Sequence, residues 1–429
     1  MSNTAYSFDS AEGEPRTEPH GEIIRVRPIP RVNIQAFCED QETAAAIQKA
    51  SGDRRLAKAH IALQMGGVDA ATTFFRDAST PNLIIVESLL RGQDLIAELD
   101  RLSEVCDAGT KVIVIGHVND VLLYRELIRR GVSEYVVAPA DVQQIIGCIS
   151  DIYTNPETGP IGQVIAFVGA KGGCGSSTVC HNTAFAIASV SQSEVVIADL
   201  DLPFGTAGLD FNQDPMQGIA EALSAPERLD EVLLDRLLSR CSDNLSLFAA
   251  PGTLERAHDI NPESCETVLD LVRENVPWVA VDIPHLWTAW AQQVVLRADQ
   301  VVITATLDLA NLRNAKNIVD HLKAKRLHDR APLLVLNQVG MPKRPEISVK
   351  DFGQALSLEP VIMIDFNAAL FGTAANNGQM IEEMSPRAKP AEQFRVLASR
   401  LTDRPEQKSE RSSVLAPLLG RLKLSKTSA

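Results

Sequence analysis

The sequence predicts an α/β chain in which two mostly parallel sheets, one after the other, are each covered by helices on both faces. Three observations carry this expectation. Runs such as LIIVE (83–87), KVIVIG (111–116) and WVAVDI (278–283) have the unbroken, β-branched character of strands buried on both sides. Helical patterns, DLIAELDRL (94–102) among them, separate those runs, which is the βαβ order a parallel sheet requires. The chain is 45% hydrophobic but only 5% aromatic, and a core of Ala, Leu and Val suits α/β layers better than a β-sandwich.

The elements follow in order. Residues 1–29 are polar and rich in Glu, Pro and Ser, and read as a tail without fixed structure. They lack a basic start followed by an apolar run, so no secretory signal is expected. A first domain spans 30–153, with VNIQAF (32–37) as its opening strand and a helix through Ala44, Ile47 and Ala50. The runs at 83–87 and 111–116 follow, and GVSEYVVAPAD (131–141) carries the last strand. TNPETGPIG (154–162) packs two Pro and two Gly into nine positions and reads as a linker. The second domain, 163–402, opens with QVIAFVGAKGGCGSSTVCHNTAFAIA (163–188): strand, glycine-rich turn, apolar helix. Further strands are expected at 195–199, 245–250, 278–283, 300–306, 332–339 and 360–364, and the closing helix runs through Phe394, Val396 and Leu397.

Residues 403–429 form a basic and apolar tail. After Arg411 it carries Arg421, Lys423 and Lys426 and no acid, interleaved with Leu415, Leu418, Leu419, Leu422 and Leu424. That composition suits peripheral contact with a membrane surface or a partner groove. Pro417 and Gly420 weigh against a helix there and towards an ordinary loose tail.

Charge and cysteine content bound the function. Forty-one basic residues against 55 acidic give a net charge of −14, which argues against a whole-surface grip on nucleic acid. No apolar run approaches the roughly 18 residues of a membrane span. The seven cysteines are scattered without a C-x-x-C pair, which fits a reducing cytoplasm and neither a disulfide framework nor a zinc site. The eight histidines show no metal spacing.

The segment from Gly169 to Thr178 is the most informative. Gly172, Gly173 and Gly175 permit a tight turn with inward N–H groups, and the helix beginning near Ser176 presents its positive end. Together they build an anion nest the size of a nucleotide's phosphates. The general loop G-x-x-x-x-G-K-[ST] places a Lys on the β/γ-phosphates and a hydroxyl on Mg2+. Here Ala170 replaces the first Gly and Ser176 replaces the Lys, while Ser177 keeps the hydroxyl position. A charge-assisted contact of that kind is worth about 1.5–3 kcal/mol, so weakened binding and slow or absent hydrolysis are expected.

With Lys171 directly before the glycines, AKGGCGSST resembles the deviant Walker A motif K-G-G-x-G-K-[ST] of the MinD/ParA family of dimeric ATPases. DLDLPFGTAGLDF (199–211) resembles that family's second motif, VAVDIPHLW (279–287) its Walker B strand, and VLNQV (335–339) the strand whose Asn contacts the base. MIDFNAALFGTAANNGQMIEEM (363–384) resembles its closing segment. The resemblance implies ATP and Mg2+ as ligands of a P-loop NTPase domain. It implies phosphate binding by Gly172, Gly173, Cys174, Gly175, Ser176, Ser177 and Thr178, and base contact by Asn337. It also implies Mg2+ at Ser177, Asp199 and Asp282, attacking water oriented by Asp201, and Lys171 reaching the partner's phosphates across a homodimer of ATPase domains.

The first domain resembles a response-regulator receiver, a flavodoxin-like fold. CED (38–40) places Glu39 and Asp40 where a receiver keeps its metal-binding acids. Glu87 stands where the phosphorylated Asp belongs, Gly116 where the Thr/Ser belongs, and Ala138 where the Lys belongs. Without nucleophile, hydroxyl and Lys, phosphorylation is not expected. Glu87 is either a permanent mimic of the charge or a drifted residue of an unused site, and what persists is a docking surface.

A degenerate receiver ahead of a MinD/ParA-like ATPase lacking the loop Lys resembles the CpaE/TadZ type of type IVb (Flp/Tad) pilus assembly proteins. The resemblance implies a cytoplasmic, ATP-dependent localisation and assembly factor, polar or at the inner face of the membrane, whose partners are pilus and secretion machinery proteins. Two alternatives stand beside it: a ParA-like ATPase moving cargo on DNA, with RNAKNIVDHLKAKRLHDR (313–330) as its basic cluster, and a scaffold that uses no nucleotide. Apolar spacing through Ile318, Val319 and Leu322 reads that cluster as an ordinary packed helix. His285, Leu286, Trp287 and Trp290 read equally as a partner surface or as core.

Overall fold

The computed structural model describes residue 29 and residues 32–107, 109–153, 161–215, 217–254 and 259–404. The expected N-terminal tail up to 28, linker residues 154–160 and the basic, apolar tail from 405 onward lie outside the described residues. Within them the chain forms two sheets with helices on both faces.

The first sheet holds β1 (Val32–Cys38), β2 (Ala59–Met65), β3 (Leu83–Ser88), β4 (Lys111–Gly116) and β5 (Glu134–Val137) in the order β2-β1-β3-β4-β5. All its pairings are parallel, and the order is that of flavodoxin-like folds. β3, LIIVES, is buried at every position, as its unbroken apolar run demands. Helices 41–51 and 142–153 cover one face through Ile47, Ala50, Ile145 and Ile149; helices 67–74 and 92–103 cover the other through Val68, Leu95 and Leu99. β2 was not foreseen from the sequence. It is an edge strand with no buried residue, and AHIALQM carries no clean apolar run to mark it.

The second sheet holds β6 (Gln163–Gly169), β7 (Val195–Asp199), β8 (Ser239–Ser242), β9 (Leu245–Phe248), β10 (Trp278–Ile283), β11 (Gln300–Ala305), β12 (Leu333–Val339) and β13 (Pro360–Asp365). Their order is β13-β12-β11-β6-β10-β7-β9-β8. Only the β8–β9 edge pair is antiparallel. β8, SRCS, is the second unforeseen strand; four polar and small residues at an edge leave no hydrophobic signature. From central β6 the chain runs outward to β7, while β10 flanks β6 on one side and β11 on the other. The carboxyl end of β6 is therefore the crevice where an open α/β sheet binds ligands.

Charged side chains join the two sheets' domains. Arg54, just after the helix 41–51, donates through Nε to Asp329 Oδ2 at 2.8 Å and through Nη1 to the Arg297 carbonyl. Lys58 pairs with Glu266 at 2.9 Å, and Gln143 Nε2 donates to the His328 carbonyl at 3.2 Å. Arg326 also donates to Asp329, at 2.7 Å. Burial alone would raise the Asp329 carboxyl, but the Arg54 and Arg326 guanidiniums hold it below the usual range.

Removing one partner of a buried pair costs about 3–5 kcal/mol, because the other charge stays buried alone. Arg54→Ala leaves Asp329 its Arg326 partner, so the expected loss in urea denaturation at pH 7 falls below that range, at about 1.5–3 kcal/mol, that of a charged hydrogen bond. Because the folded Asp329 pKa is depressed, the contribution is fully present above about pH 4 and fades as the pH falls further. Denaturation curves from pH 7 down to pH 3 check both parts.

Candidate functional site

The turn between β6 and the helix Ser176–Ser191 is held open from outside. Gly173 and Gly175 take φ of +80° and +85°, the left-handed region that favours glycine. A Cβ on Gly175 would also overlap Asn337 Nδ2. Four carbonyls in this stretch are bonded by side chains from elsewhere in the chain. His285 Nδ1 lies 3.1 Å from the Gly169 oxygen, Asn314 Nδ2 donates to Ala170 at 2.9 Å, Gln338 Nε2 to Gly173 at 3.0 Å, and Asn337 Nδ2 to Cys174 at 2.9 Å. Cys174 is buried and directs Sγ to the Thr304 carbonyl at 3.3 Å. With the carbonyls tied back and no side chain capping the helix, the amides of its first turn, Ser176, Ser177 and Thr178, are left for an anion.

Beside the loop lie the acids. β7 and β10 are parallel neighbours with Asp199 in register with Asp282, so both carboxylates end adjacent strands side by side. Asp199 is fully buried; its oxygens accept from the amides of Asp201 at 3.0 Å and Ala207 at 3.3 Å. Burial and the neighbouring Asp282 push its pKa up to about 7. Gly205 passes so close that a Cβ there would overlap the Asp199 carboxylate. Asp201 sits at the corner, half-buried, its carboxylate accepting from the Phe204 amide at 3.3 Å, and burial raises it too.

His181 answers this negative charge. It is fully buried one turn along the helix from Ser177, with Nδ1 2.7 Å from Asp210 Oδ2 and Nε2 3.4 Å from Asp282 Oδ2. Burial would lower its pKa, but the bonds to Asp210 and Asp282 push it up to about 10. Asn182, the next residue, accepts from the Ile381 amide at 2.8 Å and so holds the closing segment against the same helix.

These residues fit a nucleotide phosphate with Mg2+. Asp282 Oδ1 and Ser176 Oγ are buried without a hydrogen-bond partner, and the donors are oxygens, as a hard cation prefers. No group of three or more His, Cys, Asp or Glu with metal geometry occurs among the described residues. Mg2+ takes one or two carboxylates and completes its shell with phosphate oxygens and water. Lys171 is exposed and lies near Asp308. Burial would raise Asp308, but bonds from Asn311 and Thr306, with the Lys171 ammonium nearby, hold it down. Asn337 has both ends of its amide engaged, Nδ2 on the loop and Oδ1 with the Gln338 amide at 2.8 Å. His181, His285, Asn314 and Gln338 were not singled out for these contacts by the sequence; no motif marks them, and their partners are distant in the chain.

No protein-family model matches the chain. A crystal structure of the pilus assembly protein CpaE from Caulobacter crescentus is 46% identical over 30% of this chain and 98% of its own, with a TM-score of 0.30. Sequence identity, not superposition, carries that likeness. The chain belongs to the CpaE-type proteins of the MinD/ParA family. A septum site-determining protein MinD from Synechocystis is 24% identical over 248 residues, 56% of this chain and 89% of that protein. The structure of MinD from Pyrococcus horikoshii complexed with Mg-ADP is 18% identical over 56% of this chain and 96% of its own, with a TM-score of 0.50, and shares the fold.

In the first domain of this CpaE-type chain, Glu87 occupies the end of β3. Glu87 is fully buried and collects the donors of the pocket. Oε2 accepts from the amides of Glu39 and Asp40, both at 2.8 Å; Oε1 accepts from Thr43 Oγ1 at 2.7 Å and lies 3.0 Å from His117 Nε2. Incubation with acetyl phosphate is therefore expected to leave residues 32–153 unlabelled, as intact-mass spectrometry would read.

His181→Ala leaves Asp210 and Asp282 without their counter-ion, at a cost of about 3–5 kcal/mol. The raised pKa sets the sign. The contribution is fully present below the ordinary histidine value near 6.5 and is lost as pH rises through about 10. The stability gap between wild type and variant is expected to be widest at pH 6 and to narrow steadily towards pH 10 in chemical denaturation.

Proposed function

We propose that this chain, an ATPase-family pilus assembly factor, is a localisation and assembly factor for type IVb (Flp/Tad) pili that binds ATP, pairs through its ATPase domains and hydrolyses slowly at most. The tied-back loop beside the Asp199–Asp282 pair is the observation that carries the reading. Gly172 to Thr178 would cradle the phosphates, with Asn337 near the base. Ser177 and Asp282, and Asp199 through water, would hold Mg2+, which when bound supplies positive charge to the phosphate oxygens. Asp201 would orient water.

Lys171, turned outward beside Asp308, suits a reach into a second copy. Exposed apolar residues support the pairing. Phe204 and Leu209 follow β7, Leu286 and Trp287 follow β10, and Leu309 follows β11. All five follow the carboxyl ends of strands around the loop, the side on which the pairing would form. Trp290, by contrast, is core.

The DNA-cargo reading has less to stand on. In the helix Leu309–Lys325 and the turn after it, Lys316 pairs with Asp320, Arg326 with Asp329 and Arg330 with Asp403, and Ile318, Val319 and Leu322 are buried. No described helix is long and apolar enough to cross a membrane. A cytoplasmic position, polar or at the membrane's inner face, belongs to the same proposal, with pilus and secretion proteins as partners.

Calorimetry with Mg-ATP is expected to show binding, and Ser176→Lys to tighten it about tenfold. Lys171→Ala is expected to abolish ATP-dependent dimers in size-exclusion chromatography with light scattering. Absence of any adenine nucleotide affinity in wild type would overturn the reading and favour a scaffold that uses no nucleotide.

A further inference from the structure

We propose that His285 stands in for the missing loop lysine, presenting its free ring nitrogen to the terminal phosphate of a bound nucleoside triphosphate. This rests on the nucleotide reading above and goes beyond it, because it assigns a phosphate contact to a residue outside the loop. The lysine position is held by Ser176, whose hydroxyl is buried and unpartnered and too short to reach a terminal phosphate as a lysine would.

Ser176 and His285 meet at one residue. A Cβ built on Gly169 would lie 3.3 Å from Ser176 Cβ, and the Gly169 carbonyl is 3.1 Å from His285 Nδ1. The ring then runs along the turn, its Cδ2 3.9 Å from where a Gly172 Cβ would be. Glycine at 172 leaves nothing between the imidazole and the loop. His285 itself is exposed, so its remaining nitrogen is open to a ligand.

The chemistry follows from the bonded nitrogen. A carbonyl only accepts, so Nδ1 carries the proton, and the ring is fixed with Nε2 on the side of Cδ2 and Gly172. An adjacent anionic phosphate favours the imidazolium, whose Nε2–H then donates to a phosphate oxygen. Of the charged groups, Lys171 adjoins Gly172 on the loop, and Asp282 stands three residues before His285 in the chain. His181 cannot serve, being fully buried between Asp210 and Asp282. His321 packs against Trp287 at 5.5 Å.

The test is a double-mutant cycle by calorimetry on the full chain with Mg-ATP and Mg-ADP, combining His285→Gln with Ser176→Lys. Gln keeps a donor for the Gly169 carbonyl but not the charge. His285→Gln is expected to weaken ATP binding about tenfold and ADP binding less. Once Ser176→Lys restores the loop cation, the same change is expected to cost less than about twofold. His285→Lys should retain affinity within about threefold, and thermal melts confirm that each variant folds.

An equal loss in both backgrounds would mean that His285 only shapes the loop, and no loss in the wild-type background would mean that it touches nothing; either overturns the proposal while leaving nucleotide binding intact. Wild type that binds neither nucleotide would overturn both.

Discussion

A glycine-rich turn can fold in on its own carbonyls or open its amides to an anion, and the groups bonded to those carbonyls decide which. Here they are bonded by His285, Asn314, Asn337 and Gln338, which arrive from the loop after β10, the helix after β11 and the end of β12. Each bond removes an oxygen dipole that would otherwise oppose a phosphate. The turn is thus set before any ligand arrives, and dipoles that need no reorganisation are worth more than those that must turn. The same constraint makes Gly175 indispensable, since its left-handed φ and the pressed Asn337 amide leave no room for a side chain.

The acidic floor needs the opposite kind of help. Register places Asp199 and Asp282 on neighbouring strands, and burial together with the neighbouring Asp282 raises the Asp199 pKa. Two such groups without a counter-charge would destabilise the domain, yet a third carboxylate, Asp210, also points there. One imidazolium between Asp210 and Asp282 balances the cluster. It also links the helix behind the phosphate loop to the segment that follows β7. The site therefore carries its own cation deep in the core, while Asp282 Oδ1 stays buried without a partner.

How much of this was readable follows from what leaves a local trace. β3, β6, β7, β10 and β11 are buried at every position, and burial on both faces writes a nearly unbroken apolar run into the sequence. β2 and β8 lie at edges and leave none. Asp199 and Asp282, singled out through the family resemblance, are brought side by side by the register of β7 and β10. His181 was not singled out. It sits inside a helix, and its partner Asp210 lies 29 positions away, brought near only by the chain's return past β7. His285 reaches Gly169 across 116 positions, a contact that exists only because β10 lies beside β6.

The two domains have lost comparable groups and arrived at opposite states. In the first, Ala138 stands in place of a lysine and Glu87 in place of a nucleophile. The longer Glu side chain reaches the amides of Glu39 and Asp40, the Thr43 hydroxyl and His117, so the pocket's donors are consumed by the protein's own carboxylate. An incoming anion would have to displace a buried charge that already holds four contacts, and that exchange has nothing to drive it. In the second domain Ser176 stands at the lysine position, and side chains from elsewhere in the chain bond the loop's carbonyls while none caps the helix that follows. A pocket without its lysine is closed where the protein's own carboxylate takes the donors, and stays open where neighbouring side chains bond the loop's acceptors. By that criterion the proposed phosphate site in the ATPase half stays open, and the receiver-like half keeps its shape and the polar junction through Arg54, Lys58 and Gln143.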